Sequence, residues 1–185
     1  TGEISPSNLV SVGAEASGQI KKLYVKLGQQ VKKGDLIAEI DSTNQLNTLN
    51  TEKSKLETYQ AKLVSAEIAL SSAEKKYKRE LALWKEQATS KEDLESAQDS
   101  LAAAKANVAE LKASIKQSKI SINTAESELG HTRITATMDG TVVAIPVEEG
   151  QSVNAAQSTP TIIQLANLET MLNKMQIAEG DITKV

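Results

Sequence analysis

Leu49, Leu56, Leu63, Leu70, Tyr77 and Trp84 recur every seven residues, and Leu94, Leu101, Val108, Ile115, Ile122 and Leu129 repeat the pattern. A second apolar set follows three residues behind: Tyr59, Ala66 and Ala73 in the first series, and Ala97, Ala104, Leu111 and Ala125 in the second. This 3–4 alternation is the seam of a coiled coil, because it returns an apolar side chain to one helix face on every turn. Residues 42–129 contain no Gly and no Pro, so nothing inside them breaks a helix except a short polar stretch around Thr89. Two helices joined by so short a break run antiparallel. The series mirror one another about that point, with Trp84 facing Leu94, Tyr77 facing Leu101, Leu70 facing Val108 and Leu49 facing Leu129. The sequence therefore predicts a helical hairpin over 42–131 with its tip near 86–90.

The expected ends carry capping chemistry. Ser42-Thr-Asn-Gln45 and Ser90-Lys-Glu-Asp93 each place a side-chain acceptor three residues before an amide or acid, and Gly130 stands where a left-handed stop residue belongs. Trp84 is expected to plug the end of the seam. The hairpin holds 13 basic and 13 acidic residues, so it reads as a solvated rod with no net sign.

The flanks are written in another style. Residues 16–31 and 138–153 match at six positions: Gly18 and Gly140, Ile20 and Val142, Val25 and Val147, Gly28 and Gly150, Gln29 and Gln151, Val31 and Val153. Short apolar stretches punctuated by Gly are strands and turns. Neither copy is long enough to bury a core alone. The hairpin brings the residues on either side of it back together, so the copies are expected to pair into one small β-sandwich, interrupted by the rod. The fold class is α+β.

Composition narrows the function. Net charge is −3 and aromatic residues are 2% of the chain, which removes the basic, aromatic-studded surface that nucleic acid requires. Cysteine is absent, so thiolate metal sites and disulfides are excluded. No apolar run approaches the roughly 20 residues of a membrane-spanning helix, so no anchor is expected within these residues. The chain has no nucleophile–base–acid set, phosphate loop or metal-ligand spacing. His131 stands without a second histidine nearby, and a non-catalytic role is expected.

The paired V-x-x-G-x-x-V units resemble the biotinyl/lipoyl domain. In carrier members of that fold a modified Lys occupies the turn between the halves. Here that turn is Asp41-Ser42-Thr43-Asn44, so no cofactor is expected. A lipoyl fold split by a helical hairpin is similar to the periplasmic adaptor (membrane fusion) proteins of bacterial tripartite efflux pumps. "LGHTRITATMDGTV" matches the family's L-x-x-T-x-I-x-A-P-x-x-G-x-V except at its Pro. The family's tip motif, R-x-x-x-L-x-x-x-x-x-x-S-x-x-x-L, falls on Arg79, Leu83, Ser90 and Leu94. The segment from Ile162 onward is most like the branch paired with an ABC-type macrolide transporter.

The resemblance implies a domain order: a β-barrel fragment at 1–11, lipoyl halves at 12–41 and 132–168, the hairpin between them, and the start of a barrel at 169–185. It implies a periplasmic location, a ring of copies that is a hexamer, and two partners, a MacB-like ABC transporter of the inner membrane and a TolC-like outer-membrane channel. Arg79, Leu83 and Ser90 would dock the channel. Ser90 also serves as a plain N-cap. The second half carries three more residues than the first between its last two strands, and Gln157 in that insertion would line the ring's channel. Two other readings stay open: an adaptor for a proton-driven pump or a type I secretion system, and a coiled-coil scaffold or chaperone arm.

Overall fold

The computed structural model describes residues 9–167. Its elements are β1 (Leu9–Gly13), β2 (Gly18–Leu23), β3 (Gln30–Val31), β4 (Leu36–Ile40), α1 (Thr43–Lys85), α2 (Lys91–Gly130), β5 (Arg133–Thr135), β6 (Gly140–Ala144), β7 (Ser152–Val153) and β8 (Thr161–Ala166). The chain divides into two compact units, a β unit made by the flanking segments and a helical unit spanning Asn47–Glu126.

The β unit is an exchange of strands between the two halves. One sheet has the order β1-β8-β6-β3 and the other β5-β4-β2-β7, so each half supplies two strands to both sheets. Val31 pairs with Gly140 in the first sheet, and Gly18 pairs with Val153 in the second. The matched glycines thus start equivalent strands, each closed by the other half. A Cβ on Gly140 would sit 2.6 Å from the Ala166 carbonyl oxygen, which explains the bare backbone there.

The echoed turn residues perform the same task twice. Gly28 and Gly150 hold φ of 86° and 88°, a left-handed conformation that side chains resist. Gly28 donates its amide to Val142, and Gly150 donates to Ile20. Gln29 Oε1 accepts the Lys26 amide at 3.1 Å, and Gln151 Oε1 accepts the Glu148 amide at 3.1 Å. Ile20, Ile37, Ile40, Val142, Ile162, Ile163 and Leu165 form the fully buried centre. With Val25, Val147, Val31 and Val153 also buried, every residue of the echo is accounted for by folding.

Three local expectations change. Helix α1 is not started by a Ser42–Gln45 box. Its first carboxylate cap is Asp41, whose Oδ1 accepts both the Thr43 hydroxyl (2.7 Å) and the Thr43 amide (3.0 Å), while Gln45 Oε1 is buried without a partner. The shorter Asp41 side chain reaches the free amide from outside the helix. The Thr43 hydroxyl, then its amide, hold the Asp41 carboxyl below the usual carboxylate range. That help to the helix is present at neutral pH and fades as acidification protonates Asp41.

Helix α2 does not stop on a left-handed Gly130, which is absent from the positive-φ positions. Thr132 ends it instead: its hydroxyl and amide both donate to the Leu129 carbonyl, at 2.6 and 3.1 Å, and the side chain is buried. A Cβ at Gly130 would meet open space. Gly130→Ala is therefore expected to raise stability by about 0.5–1 kcal/mol, read as a higher denaturation midpoint.

The third change concerns the seam. In α1 it runs through Leu49, Glu52, Leu56, Tyr59, Leu63, Ala66, Leu70, Ala73, Tyr77 and Glu80, buried or part-buried throughout, whereas Trp84 is more open, at 41% exposed. The expected aromatic plug is thus only partly covered at the end of the seam. In α2, Ser118 occupies the missing seam position, buried, with its hydroxyl unpartnered. The barrel fragment expected at 1–11 falls outside the described residues through residue 8, and its remainder opens β1, which pairs with β8. The barrel start expected at 169–185 lies outside the described residues.

Candidate docking tip

The hairpin turn is built from backbone bonds that finish α1 in a Schellman motif. Ala88 donates its amide to Leu83 at 2.8 Å, and Gln87 donates to Trp84 at 3.0 Å, the paired closure that satisfies the last carbonyls of a helix. The residue that must turn left-handed in this motif is Gln87, with φ of 58°. A β-carbon in that conformation costs about 1–2 kcal/mol. Gln87→Gly is accordingly expected to stabilise the hairpin by up to about 1 kcal/mol, measured as a rise in the helical melting temperature.

Two side-chain bonds lock the rest of the turn. The Thr89 hydroxyl donates to Glu80 Oε2 at 2.7 Å in a partly buried contact, so a polar pair closes the seam where an aromatic was expected. Ser90 Oγ accepts the Asp93 amide at 3.1 Å, and the Ser90 carbonyl accepts the Leu94 amide. Ser90 is therefore an N-cap, supported by Glu92 and Asp93 in the first turn of α2.

Arg79 and Leu83 lie four residues apart on α1, which places them on one helix face. Arg79 is exposed and has no hydrogen bond or ion pair among the described residues. Leu83 is 39% exposed, beside exposed Trp84. The tip thus presents a free guanidinium and an apolar pair on a turn that holds itself together. Sequence reasoning missed the partial exposure of Trp84, along with Gln87 and the Glu80–Thr89 pair. The absence of any glycine at the turn was the available signal for a strained residue there.

Gln157 occupies a different place, an exposed turn between β7 and β8. Asn154 Oδ1 accepts the Ala156 amide, and Ser17 Oγ accepts the Ala155 amide. The loop is therefore anchored at its base while Gln157 points into solvent. On the β unit, His131 Nε2 stands 3.0 Å from Glu15 at the edge of a cleft of about 370 Å³ also lined by Arg133 and Thr135. Among the described residues no group of three acidic or histidine side chains could hold a metal ion, and no helix is long and apolar enough to cross a membrane.

Comparison with known proteins agrees with this architecture. Residues 8–165 match the model of the barrel-sandwich hybrid domain of RND membrane fusion proteins. The pyoverdine export membrane fusion protein PvdR of Pseudomonas putida is 43% identical over 184 residues, covering 100% of this chain and 47% of that protein. The macrolide export protein MacA of Yersinia pestis is 39% identical over 182 residues, covering 98% of this chain and 49% of its own length. The crystal structure of MacA from Actinobacillus actinomycetemcomitans superposes with a TM-score of 0.83 at 53% identity, over 89% of this chain and 50% of that one. The chain spans about half the length of the relatives it matches. With its split sandwich, inserted hairpin and these matches, the chain belongs to the membrane fusion protein family of efflux adaptors.

Proposed function

We propose that this chain is the hairpin and lipoyl part of a non-catalytic periplasmic adaptor. It couples an inner-membrane ABC transporter of the MacB type to a TolC-like outer-membrane channel, in a ring of six copies. The observation that carries this reading is the tip. Its turn is closed by its own backbone and by the Glu80–Thr89 and Ser90–Asp93 bonds, which leaves Arg79 and Leu83 unspent for a partner. Arg79 donates a planar fork of hydrogen bonds to carbonyls or carboxylates of a channel helix pair, and Leu83 supplies apolar contact beside it. Ser90 adds its place at the same turn. Gln157 reaches from the anchored loop toward its copies around the ring's channel.

The cargo is a macrolide-type drug, by likeness to the MacA proteins, and export of it gives antibiotic resistance. Similarity to PvdR favours a second cargo, pyoverdine. The family model's own name favours a second transporter class, the proton-driven pumps. Affinity capture of the full-length protein from a crosslinked bacterial envelope decides between transporters. The proposal expects an ABC transporter in the eluate; a proton-driven pump there, with no ABC transporter, would overturn the pairing.

A further inference from the structure

The β unit is left open along one side. β1 and β5 are equivalent strands of the two halves: Ser11, Val12 and Gly13 stand to Arg133, Ile134 and Thr135 as Gly18 stands to Gly140. Each is the outermost strand of its sheet. At the other edges, β3 and β7, the chain crosses between the sheets in turns that bond back to a strand, Gly28 to Val142 and Gly150 to Ile20. Between β1 and β5 no backbone hydrogen bond is made among the described residues. The cleft of about 370 Å³ lies in this gap, with Ser11 of β1 on one wall and Arg133 and Thr135 of β5 on the other.

We propose that this open side is a docking slot for an extended, acid-bearing segment of a partner protein, which pairs with β5 as an added strand. Backbone chemistry selects a peptide as the occupant. An edge strand turns half of its amides and carbonyls away from its sheet, and a second backbone is what satisfies such a row. The side chains of β5 suit that pairing. Arg133, Thr135 and Thr137 are exposed and alternate with buried Ile134 and Ala136, so the pleat runs two residues beyond β5 itself. Threonine is at home on a pleated surface. Neither β1 nor β5 contains the proline or lysine that commonly guards an edge.

Charge selects an acid on that segment. The Arg133 side chain makes no hydrogen bond among the described residues, and its ionic contact with Glu39 is 3.8 Å long, beyond hydrogen-bond reach. Its planar fork of donors is therefore left for a carboxylate. Glu15, the one acid lining the cleft, is already held by His131 at 3.0 Å. A second copy of the chain is a poor source of the missing carboxylate. None of the edge strands β1, β3, β5 and β7 contains an acidic residue.

The slot asks nothing of the hairpin tip, so its failure would leave the adaptor reading as it stands. The test uses the full-length protein and a labelled, end-capped probe peptide, Thr-Val-Thr-Val-Asp. Laid antiparallel to β5, this probe sets its Asp level with Arg133 and its two Thr level with Thr135 and Thr137. Saturable binding is expected by fluorescence anisotropy, together with slower amide hydrogen exchange in β5 and no change in α2. The same peptide N-methylated at alternate amides is expected to bind at least tenfold more weakly, because it keeps its side chains but loses the ladder. Asp→Asn in the peptide and Arg133→Ala in the protein are each expected to weaken binding at least threefold, and together no further than either alone.

In cells, a photo-crosslinking amino acid at Thr137 is expected to join the chain to one segment of a different protein, with an acidic residue within two positions of the crosslinked site. Adding Arg133→Ala should abolish that species. Equal binding of the N-methylated peptide would overturn strand addition, since the cleft would then be gripping side chains alone. Failure to bind the probe would overturn the slot. Slow exchange in β5 of the protein alone, or crosslinks from Thr137 only to its own chain or to further copies, would show that the edge is already covered and overturn the partner.

Discussion

Replacing Leu165 with alanine is expected to remove about 2–5 kcal/mol from the β unit, the usual range for truncating a buried leucine. Leu165 is fully buried, and in β8 it pairs with Val10 of β1 on one side and Val142 of β6 on the other. It therefore joins strands from both halves of the split domain, and the sandwich is too small to refill the hole. Domains are stable by only about 5–15 kcal/mol, and small ones sit at the low end. The variant should lose amide hydrogen-exchange protection across β4, β6 and β8 together. Ile120→Ala, at a side chain 58% exposed, should leave that protection unchanged. Loss confined to β8 would mean that the halves do not fold as one unit.

The second large effect is at the tip. Arg79→Asp is expected to leave folding within about 0.5 kcal/mol, as for a surface change away from any packed feature. Its effect on docking is larger: charge-assisted hydrogen bonds contribute about 1.5–3 kcal/mol each, and about 1.4 kcal/mol is a factor of ten in affinity. Channel binding should therefore fall tenfold or more, with lost resistance in cells carrying transporter and channel. Arg79→Ala should be milder than Arg79→Asp. Arg79→Lys should be intermediate, since an ammonium cannot copy the planar fork. Lys62→Ala, below the tip, should change docking little. Full resistance with a normally folded Arg79→Asp protein would show that Arg79 is not a docking residue.

Much of the fold was legible because it rests on repetition. The heptads marked both helices and their mirror symmetry, and the echo of Gly28-Gln29 in Gly150-Gln151 marked two equivalent turns. The seam failed to read correctly where its residues are polar. Glu80 looks like a surface acid until Thr89 is seen to bond it, and Ser118 gives no apolar signal although it is buried. Trp84 continues the seven-residue count, but the chain leaves the helix within two residues of it, so its side chain is left 41% exposed at the seam's end. The helix ends misled for a related reason. Capping depends on which short side chain reaches a free amide or carbonyl, and Asp41 and Thr132 do so from outside the helix in place of Ser42 and Gly130. The interchange of strands between the two sheets has no local signature, since it is set by pairing across the length of the chain. At the site, Arg79 and Leu83 were legible as residues off the seam, whereas the left-handed Gln87 was not, because nothing in its residue type announces it.

The central claim is that the hairpin tip meets an outer-membrane channel. A photo-crosslinking amino acid at Leu83, in the full-length protein within a living envelope, tests this most directly. The account predicts a crosslinked species containing a TolC-like channel that disappears when Arg79→Asp is added, and no such species from the same probe at Lys62. Crosslinks from Leu83 to copies of the chain alone, in cells that export normally, would contradict it.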